Sequence, residues 1–213
     1  MINTLAKDAV VDNFDLSCLK YVSCAAAPLD PLMGQLCLKR LQLKDMRQLF
    51  GMTEILTATW SHFGCPKVDS IGKPLPGVQC KIVHPDKRFL LGAGVPGELM
   101  VKGISVTPKY YKNPKSTSEL FDRDGWLKTG DLAYYDLEGF IFIVDRLKDI
   151  IKFKGTQVSP TEVEVILRQH PGVGDCAVIG RPESTAGEVP AAFIVRAPDC
   201  PLLTAADIRQ HVK

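Results

Sequence analysis

Two hydrophobic patterns divide this chain. Residues 65–142 carry short apolar or alternating runs closed by Gly and Pro: "SIGKPLPGVQCKIV", "GELMVKG", "WLKTGDLAYYD" and "GFIFIV". Runs of that length with that punctuation predict strands and turns in a compact β-rich unit. Ahead of it, "LKYVSCAAAPL" reads as a short apolar strand ending at Pro28. Residues 31–43 place Leu32, Leu36 and Leu43 at helical spacing, and "MRQLF" is a strand candidate running into "GMTE".

After Ile151 the pattern changes again. Residues 160–169 predict a helix with Pro160 in its first turn and Val163, Ile166 and Leu167 on one face. "DCAVIG" and "AAFIV" read as buried strands. Thr204 is a candidate N-cap for a last helix, with Asp207 in its first turn. The fold class is therefore mixed α/β: a β-rich unit, then a small α/β unit. Between them lies "VDRLKDIIKFKG", residues 144–155, where charges alternate with residues that favour burial. No internal repeat is visible.

Composition narrows the partners more than the fold. The 213 residues suit one to two domains. A net charge of +2 gives no reason to invoke nucleic acid or an anionic membrane. No apolar run approaches the roughly 18 residues of a membrane span, and no signal peptide is evident. The seven cysteines are scattered, odd in number and without a C-x-x-C pair. That usage predicts reduced thiols in an intracellular compartment, and neither disulfides nor a Cys/His metal site.

Three short segments carry candidate chemistry. In "LFGMTE", Gly51 permits a tight turn after a strand, and Thr53 and Glu54 follow at the strand's C-terminal end, where open α/β sheets bind ligands. Thr53 can contact a phosphate, Glu54 can hold magnesium through oxygen, and Phe50 can stack on a base. The plainer reading is a strand-to-helix turn with Thr53 as N-cap. In "WLKTGD", Asp131 can accept hydrogen bonds from two vicinal hydroxyls, as on a ribose, or simply occupy a turn. "GISVTPK" has a Gly, hydroxyls and a Lys, but Ile104, Val106 and Pro108 are wrong for a phosphate loop, so it reads as a strand end. The four histidines and Ser105 and Ser159 lack catalytic spacing.

The order of "FGMTE", "GWLKTGD" and "GFIFIVDRLKDIIKFKGTQVSPTEVE", with "SCAAAPLD" before and "GEVPAAFIV" after, resembles the adenylate-forming (AMP-binding) acyl-CoA synthetase superfamily. It is most similar to the branch of 4-coumarate–CoA ligases and firefly luciferases. The resemblance implies that residues 1–147 are the C-terminal part of a large AMP-binding domain, with a β-rich subdomain at about 65–146. Residues 148–213 would then be a small, mobile, truncated α+β domain. It implies ATP-dependent activation of a carboxylic acid to an acyl-adenylate, then thioester formation with coenzyme A. The cofactors implied are ATP or AMP, magnesium and coenzyme A.

By the same resemblance, Ala26, Gln48, Phe50, Gly51, Met52, Thr53, Asp131, Arg146 and Gln157 would bind the nucleotide. Glu54 would hold the metal, Lys148 would be the hinge and Lys152 would serve the second half-reaction. Lys154 and Gly155 would face coenzyme A. Cys24-Ala25 stands where the family has Ser-Gly, Leu49 where a small Gly is usual and Lys128 where His or Arg is common. Those departures leave the acid unspecified. The family's phosphate loop and its final lysine have no counterpart in these residues, so the chain is expected to be an incomplete piece of an enzyme and inactive alone. A non-catalytic nucleotide- or partner-binding module and a luciferase-like oxygenase are the alternatives. Cytoplasm and peroxisome are both open as locations, and the oligomeric state is open too.

Overall fold

The structure is a computed structural model that describes residues 1–26, 29–65, 67–198, 200 and 202–212. Its contacts divide the chain into two compact units. Unit 1 is Met1–Thr129 with Ala133–Ile143; unit 2 is Gly130–Leu132 with Val144–Lys213.

Unit 1 begins with helix α1 (Ile2–Lys7), strand β1 (Tyr21–Cys24), helix α2 (Pro31–Arg40) and strand β2 (Asp45–Phe50). β1 and β2 pair in parallel, with Cys24 opposite Gln48. A parallel pair needs a crossover, and α2 supplies it. Asp30 caps α2 by accepting the Leu32 amide, and Pro31 fills the first turn, where its missing N–H is not needed. Of the three leucines that the spacing singled out, Leu43 just past the helix is buried, whereas the two within the helix are not. Met33 and Cys37 point inward with Leu43 and Met46, while Leu32 is 48% and Leu36 38% exposed. The predicted strand end at Pro28 lies outside the described residues.

From β2 the chain turns into β3 (Thr59–Trp60) and β4 (Lys73–Pro74), giving a sheet of order β1-β2-β3-β4. The expected β-rich unit follows as a second sheet of order β5-β6-β7-β8: Val78–Val83, Gly97–Gly103, Leu127–Tyr135 and Ile141–Arg146. Leu99, Met100 and Val101 of β6 are all buried, so this strand is covered on both faces. Leu99 and Val101 join Ile55, Ile82 and Leu127 in the main core. Each such side chain stabilises the fold by about 1.5–3 kcal/mol. "GISVTPK" leaves the end of β6, as a strand end should.

A helix that the pattern did not predict, α3 (Pro114–Leu120), interrupts the sheet. Asn113 caps it by accepting the Ser116 amide. Its body is Lys, Ser, Thr and Glu, and Leu120 is its buried residue, so no apolar period marks it.

Unit 2 contains β9 (Ile151–Phe153), β10 (Thr156–Val158), α4 (Pro160–Arg168), β11 (Val173–Glu183), β12 (Gly187–Arg196) and α5 (Ala205–His211). The sheet order is β10-β9-β12-β11, and the core joins Ile151, Leu167, Cys176 and Val178. Ser159 caps α4 and Pro160 sits in its first turn; Thr204 and Asp207 form a capping box on α5. Two expectations are corrected. Ile166 is exposed, leaving Leu167 as the buried anchor of α4. β11 and β12 are buried on one face only, because antiparallel strands alternate. Cys176, Val178 and Ile194 face the core cluster, while Ile179, Phe193 and Val195 are exposed.

Candidate functional site

In unit 1 the candidate residues gather where the parallel pair ends. Because Cys24 lies opposite Gln48, the segments leaving β1 and β2 emerge together. Ala26, two residues past β1, has φ +74°, a left-handed conformation that costs a non-glycine residue about 1–2 kcal/mol. Gln48 is buried, and its amide nitrogen donates to the Val68 carbonyl at 2.7 Å. Its side-chain oxygen and the second N–H of its amide remain for a ligand. Phe50 and Met52 are half-buried against the main core.

Gly51 is demanded by crowding. A Cβ there would stand 1.8 Å from the Leu56 carbonyl oxygen. The chain folds this tightly because the Met52 carbonyl accepts the amides of Ile55 and Leu56 at 3.0 and 2.7 Å, and Ile55 is fully buried. No helix follows, so Thr53 is not an N-cap; it lies exposed on the turn. Glu54 is held twice. Its backbone carbonyl accepts the Thr107 amide at 2.7 Å, and its Oε1 accepts the Tyr110 hydroxyl. That hydrogen bond pushes the Tyr110 hydroxyl above its ordinary pKa, because ionisation would place two negative charges together.

Magnesium typically takes one or two carboxylates and completes its octahedron with phosphate oxygens and water. Glu54 fits that role as a single carboxylate. Among the described residues no group of three or more His, Cys, Asp or Glu side chains could hold a metal by itself.

In unit 2 Asp131 and Arg146 come together. The Leu147 amide donates to the Gly130 carbonyl at 2.8 Å, which sets the two segments side by side. Arg146 Nε then lies 3.5 Å from Asp131 Oδ1. Asp131 is buried and the Arg146 side chain 63% exposed. A pair this wet adds at most about 1 kcal/mol to stability. What it provides is a carboxylate acceptor beside a guanidinium donor, a pairing suited to polyhydroxylated or anionic ligands.

Asp145 anchors this region. It is 7% exposed. Its Oδ1 accepts the Arg146 amide at 2.8 Å, and its Oδ2 accepts the Ser159 hydroxyl at 2.6 Å and the Thr161 amide at 3.1 Å. Ser159 Oγ in turn accepts the Glu162 amide. One carboxylate thereby ties the end of β8 to the first turn of α4. Lys148 lies between, on a cleft of about 330 Å3 whose lining includes Asp149, Thr161, Glu164 and Glu188.

Lys152 and Gln157 face each other across the β9–β10 hairpin. Lys154 and Gly155 form its two-residue tip with φ +48° and +80°, the signature of a type I′ turn. Lys154 Nζ sits 5.4 Å from the Phe153 ring centroid. Sequence reasoning missed Tyr110 and Asp145. Asp145 had a signal, a charge inside an apolar strand end; nothing local marked Tyr110.

The parallel pair with its crossover helix and the antiparallel sheets make this a mixed α/β protein. The profile described as AMP-binding enzyme matches residues 1–111, and that of the AMP-binding enzyme C-terminal domain matches residues 162–213. The chain belongs to this family of adenylate-forming acid–CoA ligases and their relatives, as the sequence resemblance implied. It is 42% identical over 196 residues to luciferin 4-monooxygenase of Photinus pyralis, covering 92% of this chain and 36% of that protein. It is 38% identical to 4-coumarate–CoA ligase 3 of Arabidopsis thaliana, covering 100% of this chain and 39% of that protein. Among solved structures, o-succinylbenzoate CoA synthetase (MenE) from Bacillus subtilis, in complex with the acyl-adenylate intermediate OSB-AMP, superimposes with TM-score 0.82 at 29% identity. That match covers 95% of this chain and 42% of that one. The chain thus spans well under half the length of these relatives. Among the described residues no helix is long and apolar enough to cross a membrane.

Proposed function

We propose that the protein carrying this chain is an ATP-dependent acid–thiol ligase. The carrying observation is the Asp131–Arg146 pair, a buried carboxylate held beside an exposed guanidinium. In the reaction, an oxygen of the acid's carboxylate bonds to the α-phosphorus of ATP, and pyrophosphate leaves. The sulfur of coenzyme A then bonds to the acyl carbon, and AMP leaves with the electrons of the broken C–O bond. Adenylation is needed because a free carboxylate is a poor acyl donor.

In this reading Asp131 accepts the ribose hydroxyls, with Arg146 holding its orientation. Phe50 flanks the adenine, with Gly51 and Met52 shaping the turn beneath it. Ala26, Gln48 and Gln157 line the nucleotide, and Thr53 donates to a phosphate. Glu54 is the carboxylate for magnesium, which when bound offsets phosphate charge. Lys148 is the pivot between the two half-reactions, Lys152 serves the thioester step, and Lys154 and Gly155 face coenzyme A. Residues 148–213 act as the mobile domain. Exclusion of water from the reactive adenylate is what such motion provides.

A second reading has support of its own: 42% identity to a luciferin 4-monooxygenase favours a luciferase-like oxygenase that shares the adenylation step. The test uses the full-length protein with ATP, magnesium and a panel of carboxylic acids. Carboxylate-dependent pyrophosphate release followed by acyl-CoA formation is expected. Light emission with oxygen instead of acyl-CoA favours the second reading, and no pyrophosphate release from any acid overturns both.

A further inference from the structure

The loop between β6 and α3 holds Glu54 at two points. Its Thr107 amide binds the Glu54 carbonyl at 2.7 Å, and its Tyr110 hydroxyl binds Glu54 Oε1. The loop is itself secured. Val106 and the Tyr110 ring pack against the main core. The Tyr110 amide donates to Thr117 Oγ1 at 3.0 Å, and Thr117 Oγ1 donates to the Asn113 carbonyl at 2.7 Å within the first turn of α3. Glu54 therefore does not sample the rotamers of a surface glutamate. Its second oxygen, Oε2, accepts no hydrogen bond from a described residue.

We propose that Tyr110 is a positioning residue that fixes the Glu54 carboxylate by Oε1 and so keeps Oε2 as the oxygen for a divalent cation carried by nucleotide phosphates. This rests on the reading of Glu54 as the metal carboxylate. The chemistry suits the role. A phenol donates one hydrogen bond without neutralising the carboxylate, so the full negative charge stays available. Preorganising a metal-binding carboxylate through its other oxygen is how outer partners raise metal affinity.

The test compares the full-length protein that carries this chain with its Tyr110→Phe and Glu54→Gln variants. Manganese binding is followed by electron paramagnetic resonance in the presence of ATP, and ATP binding without metal by calorimetry in EDTA. Tyr110→Phe keeps the ring that packs on the core. It should weaken Mn2+–ATP binding about tenfold, the lower end of the effect of an outer partner, and leave metal-free ATP binding unchanged. Glu54→Gln should weaken Mn2+–ATP binding at least as much. If Glu54→Gln weakens binding and Tyr110→Phe does not, the positioning role is overturned and the role of Glu54 stands. If neither variant weakens it, or the full-length wild type binds no Mn2+–ATP, the role of Glu54 falls and the inference with it. An equal loss with and without metal makes Tyr110 merely structural and overturns the inference.

Discussion

Replacing Asp145 by Ala removes the acceptor of three donors at once. These are the Arg146 amide, the buried Ser159 hydroxyl and the Thr161 amide. A hydrogen bond to a charged group contributes about 1.5–3 kcal/mol, and a buried donor left without a partner costs about 1–3 kcal/mol. Arg146 lies at the surface, where water replaces the lost acceptor, so two donors dominate. The expected loss is about 3–5 kcal/mol of the stability of unit 2. Asp145→Asn should lose less, about 1–2 kcal/mol, because one oxygen still accepts while the new NH2 faces a donor. Urea unfolding followed by circular dichroism measures both. Hydrogen exchange of the Thr161 amide localises the effect, since its protection depends on this carboxylate. A loss below about 1 kcal/mol for Asp145→Ala, or unchanged protection of Thr161, would refute the anchoring role.

Gly51→Ala must move the backbone around Leu56, since the new methyl group would sit 1.8 Å from its carbonyl oxygen. Thermal melting should show a loss of at least about 1–3 kcal/mol, and nucleotide binding should fall with it. Lys154→Asn should stabilise the hairpin by about 0.5–1 kcal/mol, since Asn tolerates the left-handed φ of +48° better than Lys; chemical denaturation checks the sign. Hydrogen bonds from the Thr204 hydroxyl and amide hold the Asp207 pKa below its ordinary value of 3.8. A carboxyl whose folded pKa is lowered stabilises fully above the unfolded value and loses that contribution as pH falls through the folded one. Melting of wild type and Asp207→Asn should therefore stay separated above about pH 4 and converge progressively as the pH falls further, through the lowered folded pKa. Cys80 is pushed to about 12 by burial while Cys18 is exposed, so a thiol reagent near pH 8 should label Cys18 rapidly and spare Cys80 in the folded chain.

Strands written in continuous apolar residues were legible: "GELMVKG" is β6 residue for residue, and "MRQLF" lies within β2. Capped helices were legible for the same local reason, Ser159-Pro160 and Thr204 with Asp207 being chemical start signals. What failed depended on tertiary choice. Several residues of α2 are apolar, and packing selected Met33 and Cys37 over Leu32 and Leu36. α3 lacks an apolar stripe because Leu120 is its buried residue.

The candidate site divides in the same way. Gly51 announced a turn, although its reason, a carbonyl 1.8 Å from where a Cβ would be, is invisible without coordinates. Tyr110 lies 56 residues from Glu54, and nothing in "TPKYYKN" signals that contact. Lys154 and Gly155 drew notice by resemblance, while the turn they form needed the register of Phe153 with Thr156.

Unit 2 is not continuous in sequence: Gly130–Leu132, from the middle of β7, group with Val144 onward. Anyone exchanging this unit between relatives by a single crossover at residue 144 would join an Arg146 from one parent to an Asp131 from the other. The Leu147 amide would likewise inherit a foreign Gly130 carbonyl. A chimera that carries both segments from one parent keeps these partners together. The recombination boundary of this fold is therefore three cuts rather than one.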